Sequence, residues 1–132
     1  SDVNLNNIIA ILDSPNTIKK KIQRAVTDSL SEIVVDENRP GVSNLINIYS
    51  LVSDVSIQKV ESQYEGKMYS EFKSDLADVL IEFLKPIQQK YNEISNDAQY
   101  IDKLLNKGSE VAYYRARKTL SKVYRKVGFI KK

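Results

Sequence analysis

Residues 70–95 read SEFKSDLADVLIEFLKPIQQKYNEIS, and this stretch decides the fold class. Phe72, Leu76, Val79, Leu80, Phe83, Ile87, Tyr91 and Ile94 recur at helical intervals, the spacing that places side chains on one stripe of an α-helix. A helix is predicted from about Ser70 to Ser95, the longest of the chain, with that stripe turned inward. Pro86 falls inside it. An interior proline removes one backbone hydrogen bond and costs about 3 kcal/mol against alanine, so a kink is expected there.

Upstream, Ser14-Pro15 reads as a helix start, because the serine can accept from first-turn amides while the proline needs no amide partner. Ile18, Ile22, Ala25 and Val26 then form a stripe; each large side chain contributes about 1.5–3 kcal/mol when fully buried. Lys20, Arg24 and Thr27 fall on another face, flanked by Lys19 and Lys21, so that face is basic. Residues 28–41 carry Asp, Ser, Asn, Pro and Gly and read as a loop, with at most a short extended piece at Ile33–Val35. Val42, Leu45, Ile46, Tyr49 and Val52 restore the helical period, and Ser56 is placed to cap a short helix over Ile57–Tyr64 that ends at Gly66.

Downstream, Asp97 is placed to cap a short helix to about Lys107. Gly108 is expected to separate it from a last helix near Ser109–Val127. Ala112, Ala116, Leu120, Val123 and Val127 make the apolar seam of that helix, and Arg115, Lys118, Lys122 and Arg125 make a second, basic stripe interleaved with Tyr113, Tyr114 and Tyr124. At the other end, the apolar run Ile8–Leu12 reads as a short N-terminal strand whose sheet is expected to lie outside this sequence. The expected fold is therefore all-α, a bundle of about five to six helices with a kinked long helix and at most that one short strand.

The composition, 42% hydrophobic and 28% charged over 132 residues, is that of a folded globular domain. There is neither Cys nor His, which removes disulfides, thiolate nucleophiles, imidazole bases and the usual zinc sites. Gly41, Gly66, Gly108 and Gly128 lie too far apart for a phosphate-cradling loop. No catalytic residue and no metal site is expected, and the chain alone is expected to be inactive. The longest apolar run has five residues and lacks the basic flank of a signal peptide; no membrane partner and a cytoplasmic location are expected. Residues 1–100 hold ten basic and fifteen acidic side chains, while residues 101–132 hold ten basic ones and only Asp102 and Glu110 as acids. That asymmetry points to a polyanion or an acidic surface as partner of the tail. The chain begins at Ser1 with its only Met at position 68, so it is expected to be a piece of a longer protein.

The order of segments resembles a known family. Pro15, Ile18-Lys19-Lys20-Lys21-Ile22 and Arg24-Ala25-Val26-Thr27-Asp28-Ser29 resemble the helix that follows the signature loop of bacterial tryptophanyl-tRNA synthetases. Arg39-Pro40-Gly41-Val42-Ser43-Asn44-Leu45-Ile46, leading to Ile48-Tyr49-Ser50, is similar to the Pro-Gly-Val-Ser-Asn-Leu segment of that family. Tyr64-Glu65-Gly66-Lys67, Phe72-Lys73, Leu84-Lys85-Pro86-Ile87 and Val127-Gly128-Phe129 follow in order. Departures are Met68 and Ser70, where a Gly-rich turn is commoner, and Ser31 in place of a frequent Gly.

The resemblance implies a class I aminoacyl-tRNA synthetase whose catalytic Rossmann domain precedes this segment. Ser1 would then be the end of the Lys-Met-Ser-Lys-Ser loop that holds ATP. Residues 1–13 would be a remnant of the catalytic domain edge, residues 14–97 a helical anticodon-recognition domain, and residues 98–132 basic helices that pack back on the catalytic domain. The implied partners are tRNA, the missing N-terminal catalytic domain and a second subunit in a homodimer; ATP with magnesium would serve the parent enzyme, and this piece would hold no cofactor. For tRNA, Lys20 and Arg24 are placed to neutralise phosphates, and Asp28, Ser29 and Arg39 to hydrogen-bond splayed bases. The alternative is a stand-alone helical module that binds nucleic acid through Arg115, Lys118, Lys122 and Arg125; attachment of the same basic helix to a membrane surface is a weaker rival, because its face lacks large apolar anchors beyond the tyrosines.

Overall fold

The computed structural model describes residues 7–30 and 32–129. Among them are five helices and no strand: α1 (Pro15–Arg24), α2 (Pro40–Ser53), α3 (Ile57–Gln63), α4 (Tyr69–Ser95) and α5 (Ala98–Val127). They fall into two compact units, Ser1–Gln89 and Lys90–Lys132, divided inside α4.

The first unit has one core. Ile18 and Ile22 of α1, Ile33 of the following loop, Val42, Leu45, Ile46 and Tyr49 of α2, Val60 and Tyr64, and Phe72, Leu76, Ala77, Leu80 and Leu84 of α4 are all buried together. Three rings stand at its centre. Phe72 lies 5.0 Å from Tyr64 and 5.9 Å from Tyr49 between centroids, and Tyr49 meets Tyr64 edge-on at 5.7 Å, the offset geometries that aromatic quadrupoles favour. A buried phenol needs a polar partner, and Tyr64 donates to Asp75 Oδ2 at 2.8 Å, 3.2 Å from the Tyr49 hydroxyl. Burial, first of all, pushes the Tyr64 hydroxyl up from its ordinary range.

Several expectations are corrected. The run Ile8–Leu12 is not a strand but an irregular segment closed by a turn, Asp13 N donating to Ala10 O at 3.0 Å. No described strand can pair with it, so side chains take up its backbone groups instead. Lys21 donates to Ile8 O at 2.8 Å, and Gln88 donates to Ile11 O and Asp13 O at 2.7 and 3.1 Å. Val26 is exposed rather than on the α1 stripe, because α1 stops at Arg24 and Ala25 turns to extended backbone (φ −54°, ψ 134°). In α4, Phe72, Leu76 and Leu80 are buried and Val79 half-buried, but Phe83, Ile87, Tyr91 and Ile94 are exposed. Ala77 and Leu84 take the inner positions. The sequence is apolar at both 83 and 84, so only the neighbouring helices choose between them.

Helix α4 runs through Pro86 without a break. Gly108 does not separate two helices; α5 is continuous from Ala98 to Val127, opened by Asp97, whose side chain accepts from Tyr100 N, and closed by Gly128 at φ 75°. An interior glycine costs a helix about 1 kcal/mol against alanine, which the good helix formers around it offset. No residue of α5 is buried, so its predicted seam of Ala112, Ala116, Leu120, Val123 and Val127 is open to solvent. No helix among the described residues is long and apolar enough to cross a membrane.

Candidate nucleic-acid interface

Helix α1 carries the predicted basic face. Ser14 accepts from Thr17 N at 3.2 Å and Pro15 occupies the first turn, so the helix start is fixed as its sequence suggests. Ile18 and Ile22 are each 1% exposed and anchor the helix on the core. Lys20 and Arg24, two residues beyond them, are thereby left in solvent. Among the described residues neither makes an ion pair. The flanking lysines differ: Lys19 is paired with Asp78 at 2.8 Å, and Lys21 with Asp13 at 2.6 Å. Asp13 also accepts from Ala10 N, and the hydrogen bond from Lys21, ahead of that amide, holds its carboxyl below the ordinary range.

The loop after α1 is braced from three sides. Arg39 Nε donates to Asp28 Oδ2 at 2.7 Å and its Nη2 to Asp28 Oδ1 at 3.2 Å, while Nη2 also reaches the Glu32 carbonyl and the Tyr69 hydroxyl. Tyr69 in turn donates to Asp28 Oδ1 at 2.8 Å. The structure thus brings the predicted residues Asp28 and Arg39 together as an ion pair, with the Arg39 side chain 9% exposed. Ser29, between them in sequence, stays exposed. On the second side, Ile33 enters the core and Val35 N donates to Glu61 Oε1 at 2.8 Å. On the third, Lys73 of α4 donates to Ala25 O at 2.8 Å and to Thr27 Oγ1 at 3.2 Å.

The Arg39 hydrogen bond is the main reason that the Asp28 carboxyl titrates at about 2; desolvation opposes it, and Tyr69 and the Leu30 amide reinforce it. The sign of the consequence follows from linkage. A carboxyl depressed in the fold and ordinary, near about 4, when unfolded contributes stability above pH about 4 and loses it as pH falls toward 2. We expect the difference in urea midpoint between the wild-type chain and Asp28→Asn to be constant above pH 5 and to vanish between pH about 4 and 2. A difference that grew on acidification would show that the pair does not brace the loop.

Sequence reasoning missed Tyr69 and Lys73. Tyr69 offered no local signal, since its partners lie up to 41 residues away. Lys73 did offer one: it stands in helical register with Ala77, Leu80 and Leu84 on the buried face, where a lysine is out of place unless it is bonded. In the second unit, Arg115, Lys118, Lys122 and Arg125 are all exposed. Lys118, Lys122 and Arg125 line a shallow cleft of about 300 Å³ with Tyr114, Arg117 and Ser121. Ser1 and Ser31 lie outside the described residues.

The braced loop thus stands beside the exposed Lys20 and Arg24, which make no ion pair among the described residues. The profile of class I tRNA synthetases (W and Y) matches residues 1–85, and the chain belongs to that family. Relatives that it matches include tryptophan–tRNA ligases. That of Clostridium acetobutylicum is 48% identical over 98% of this chain and 39% of its own length, and that of Bacillus anthracis is 47% identical over all of this chain and 40% of its own. The crystal structure of tryptophanyl-tRNA synthetase from Mycoplasma pneumoniae superposes with a TM-score of 0.71 at 27% identity, covering 98% of this chain and 40% of that one. The chain therefore spans about two fifths of the length of these relatives.

Proposed function

We propose that this chain is the tRNA-binding portion of a tryptophan–tRNA ligase, which joins tryptophan to its tRNA at the expense of ATP. The observation that carries the reading is the exposed pair Lys20 and Arg24 on α1, in no ion pair among the described residues, set beside a loop that the Asp28–Arg39–Tyr69 bonds brace. Exposed cations beside a braced loop suit a phosphate backbone next to unpaired bases. Asp28 and Arg39 then act chiefly by shaping the loop that presents Ser29. ATP, its magnesium and the catalytic residues belong to the remainder of the ligase, which functions in the cytoplasm as a homodimer. The open seam of α5 supports the further reading that residues 98–132 pack on that remainder, since uncovered apolar stripes of this kind mark contact surfaces.

In the intact ligase, Lys20→Glu with Arg24→Glu is expected to weaken tRNA binding and to flatten the dependence of log affinity on log salt by about 1 for each phosphate that is no longer neutralised. Unchanged affinity in a filter-binding titration would remove the assignment. The rival reading rests on the basic cleft of α5. If binding to unrelated duplexes matched binding to tRNA and were abolished by charge reversal at Lys118 and Lys122, a general nucleic-acid module would be the better description.

A further inference from the structure

Beside the basic face of α1 is a cleft of about 240 Å³ lined by Gln23, Tyr69, Ser70 and Lys73. It lies within the first unit, and Gln23 falls between Lys20 and Arg24 in the i, i+3, i+4 pattern that shares one helix face. Lys73 is its distinctive member. Its side chain is largely buried, the residue being only 8% exposed. Among the described residues it makes no ion pair. The loop carboxylate Asp28 is taken by Arg39 and Tyr69.

An ammonium carries three N–H donors. Ala25 O and Thr27 Oγ1 accept two of them, which leaves one donor for an acceptor from outside, on a residue that lines the cleft. Desolvation draws the Lys73 ammonium below its ordinary range, as burial of a cation without a counter-charge must. Such a donor favours an oxygen acceptor strongly, because a charge-assisted hydrogen bond in a poorly solvated place is stronger than the same bond in water.

The other lining groups narrow the acceptor. The Gln23 amide and the Ser70 hydroxyl each offer a donor and an acceptor, the mixed pattern of a nucleobase edge; a phosphate presents acceptors alone. Tyr69 completes the lining, and aromatic side chains recurrently stack unpaired bases. The volume is below the roughly 300–1,000 Å³ of sites for drug-sized ligands, which suits one ring system better than a nucleotide.

We propose that this cleft is a base-reading subsite that takes the edge of an unpaired nucleobase with an exocyclic carbonyl, the carbonyl oxygen accepting from Lys73 Nζ and Gln23 and Ser70 meeting the remaining edge. This rests on the tRNA-binding function proposed above and deepens it. Adenine has no such carbonyl and is disfavoured. Lys20 and Arg24, on the same face as Gln23, hold the flanking phosphates.

The test is tRNA binding to the intact ligase carrying Gln23→Ala, Ser70→Ala or Lys73→Met, with tRNA variants in which each unpaired anticodon-loop base in turn is exchanged between a carbonyl-bearing base and adenine. Gln23 and Ser70 are exposed, so those two variants report on the cleft even if Lys73→Met loosens the loop; thermal melts identify that case. The expected result is a loss of roughly tenfold or more for native tRNA, an unchanged salt slope, and loss of the preference for a carbonyl at one base position. A salt slope reduced by about 1 in Lys73→Met, with no dependence on base identity, would assign the acceptor to a phosphate and overturn the base reading. Native affinity and unaltered base preference in Gln23→Ala and Ser70→Ala, while Lys20→Glu with Arg24→Glu still weakens binding, would overturn the subsite and leave the wider function standing. If that charge reversal had no effect either, both would fall.

Discussion

Phe72→Ala is expected to lower the unfolding free energy by about 3–5 kcal/mol, the range for truncating a fully buried phenylalanine. Phe72 is fully buried and its ring lies within 6 Å of both Tyr49 and Tyr64. Removing it takes away the ring that both tyrosines pack against and leaves a cavity whose walls come from α2, the end of α3 and α4. The surrounding rings cannot simply collapse into the gap, because Tyr64 is tethered to Asp75. Against a typical total of about 5–15 kcal/mol, the variant stands near or past the limit of folding. Urea unfolding followed by circular dichroism measures it; a loss below about 1 kcal/mol would mean that the aromatic cluster is not the centre of this core.

Gly41→Ala is the second large expected effect, at about 1–3 kcal/mol by the usual cost of overpacking. A Cβ on Gly41 would stand 2.5 Å from the Val26 carbonyl oxygen. The obstacle is backbone, so no rotamer change relieves it; either the start of α2 or the loop after α1 must move. The loop is the part held by Lys73 at Ala25 and by Arg39 at Asp28, so the strain falls on the candidate interface. The substitution should therefore weaken tRNA binding to the intact ligase as well as lower stability, although Gly41 itself is exposed. Gly66, where an added Cβ meets nothing but φ is 71°, is the useful contrast: Gly66→Ala should cost stability through backbone strain alone and leave binding intact.

Much of this was legible in the chain. The helical intervals at Ile18 and Ile22, at Val42, Leu45, Ile46 and Tyr49, and at Phe72, Leu76 and Leu80 located three helices and the residues that bury them, because a stripe of apolar side chains has only one way to leave water. Ser14-Pro15 and Gly66 marked ends whose backbone requirements are local. The charge pattern placed Lys20 and Arg24 on a face apart from that stripe. What misled was equally local: the helix formers around Gly108 outweigh its propensity to break a helix, the run Ile8–Leu12 has no described strand to pair with, and the exposed half of α4 repeats the same apolar period as its buried half.

By itself, then, the sequence determined the first four helices, the family and the basic character of α1, all of which follow from residues a few positions apart or from segments in a recognisable order. Only the tertiary structure decided which polar groups are committed to holding the fold and which are left for a partner. Asp28 and Arg39 have the same chemistry whether they face a base or each other, and Lys73 is one of twenty basic residues until α4 carries it beneath the loop at Ala25. Such hydrogen bonds join residues 11 to 48 positions apart, and they exist only once packing has brought those positions together.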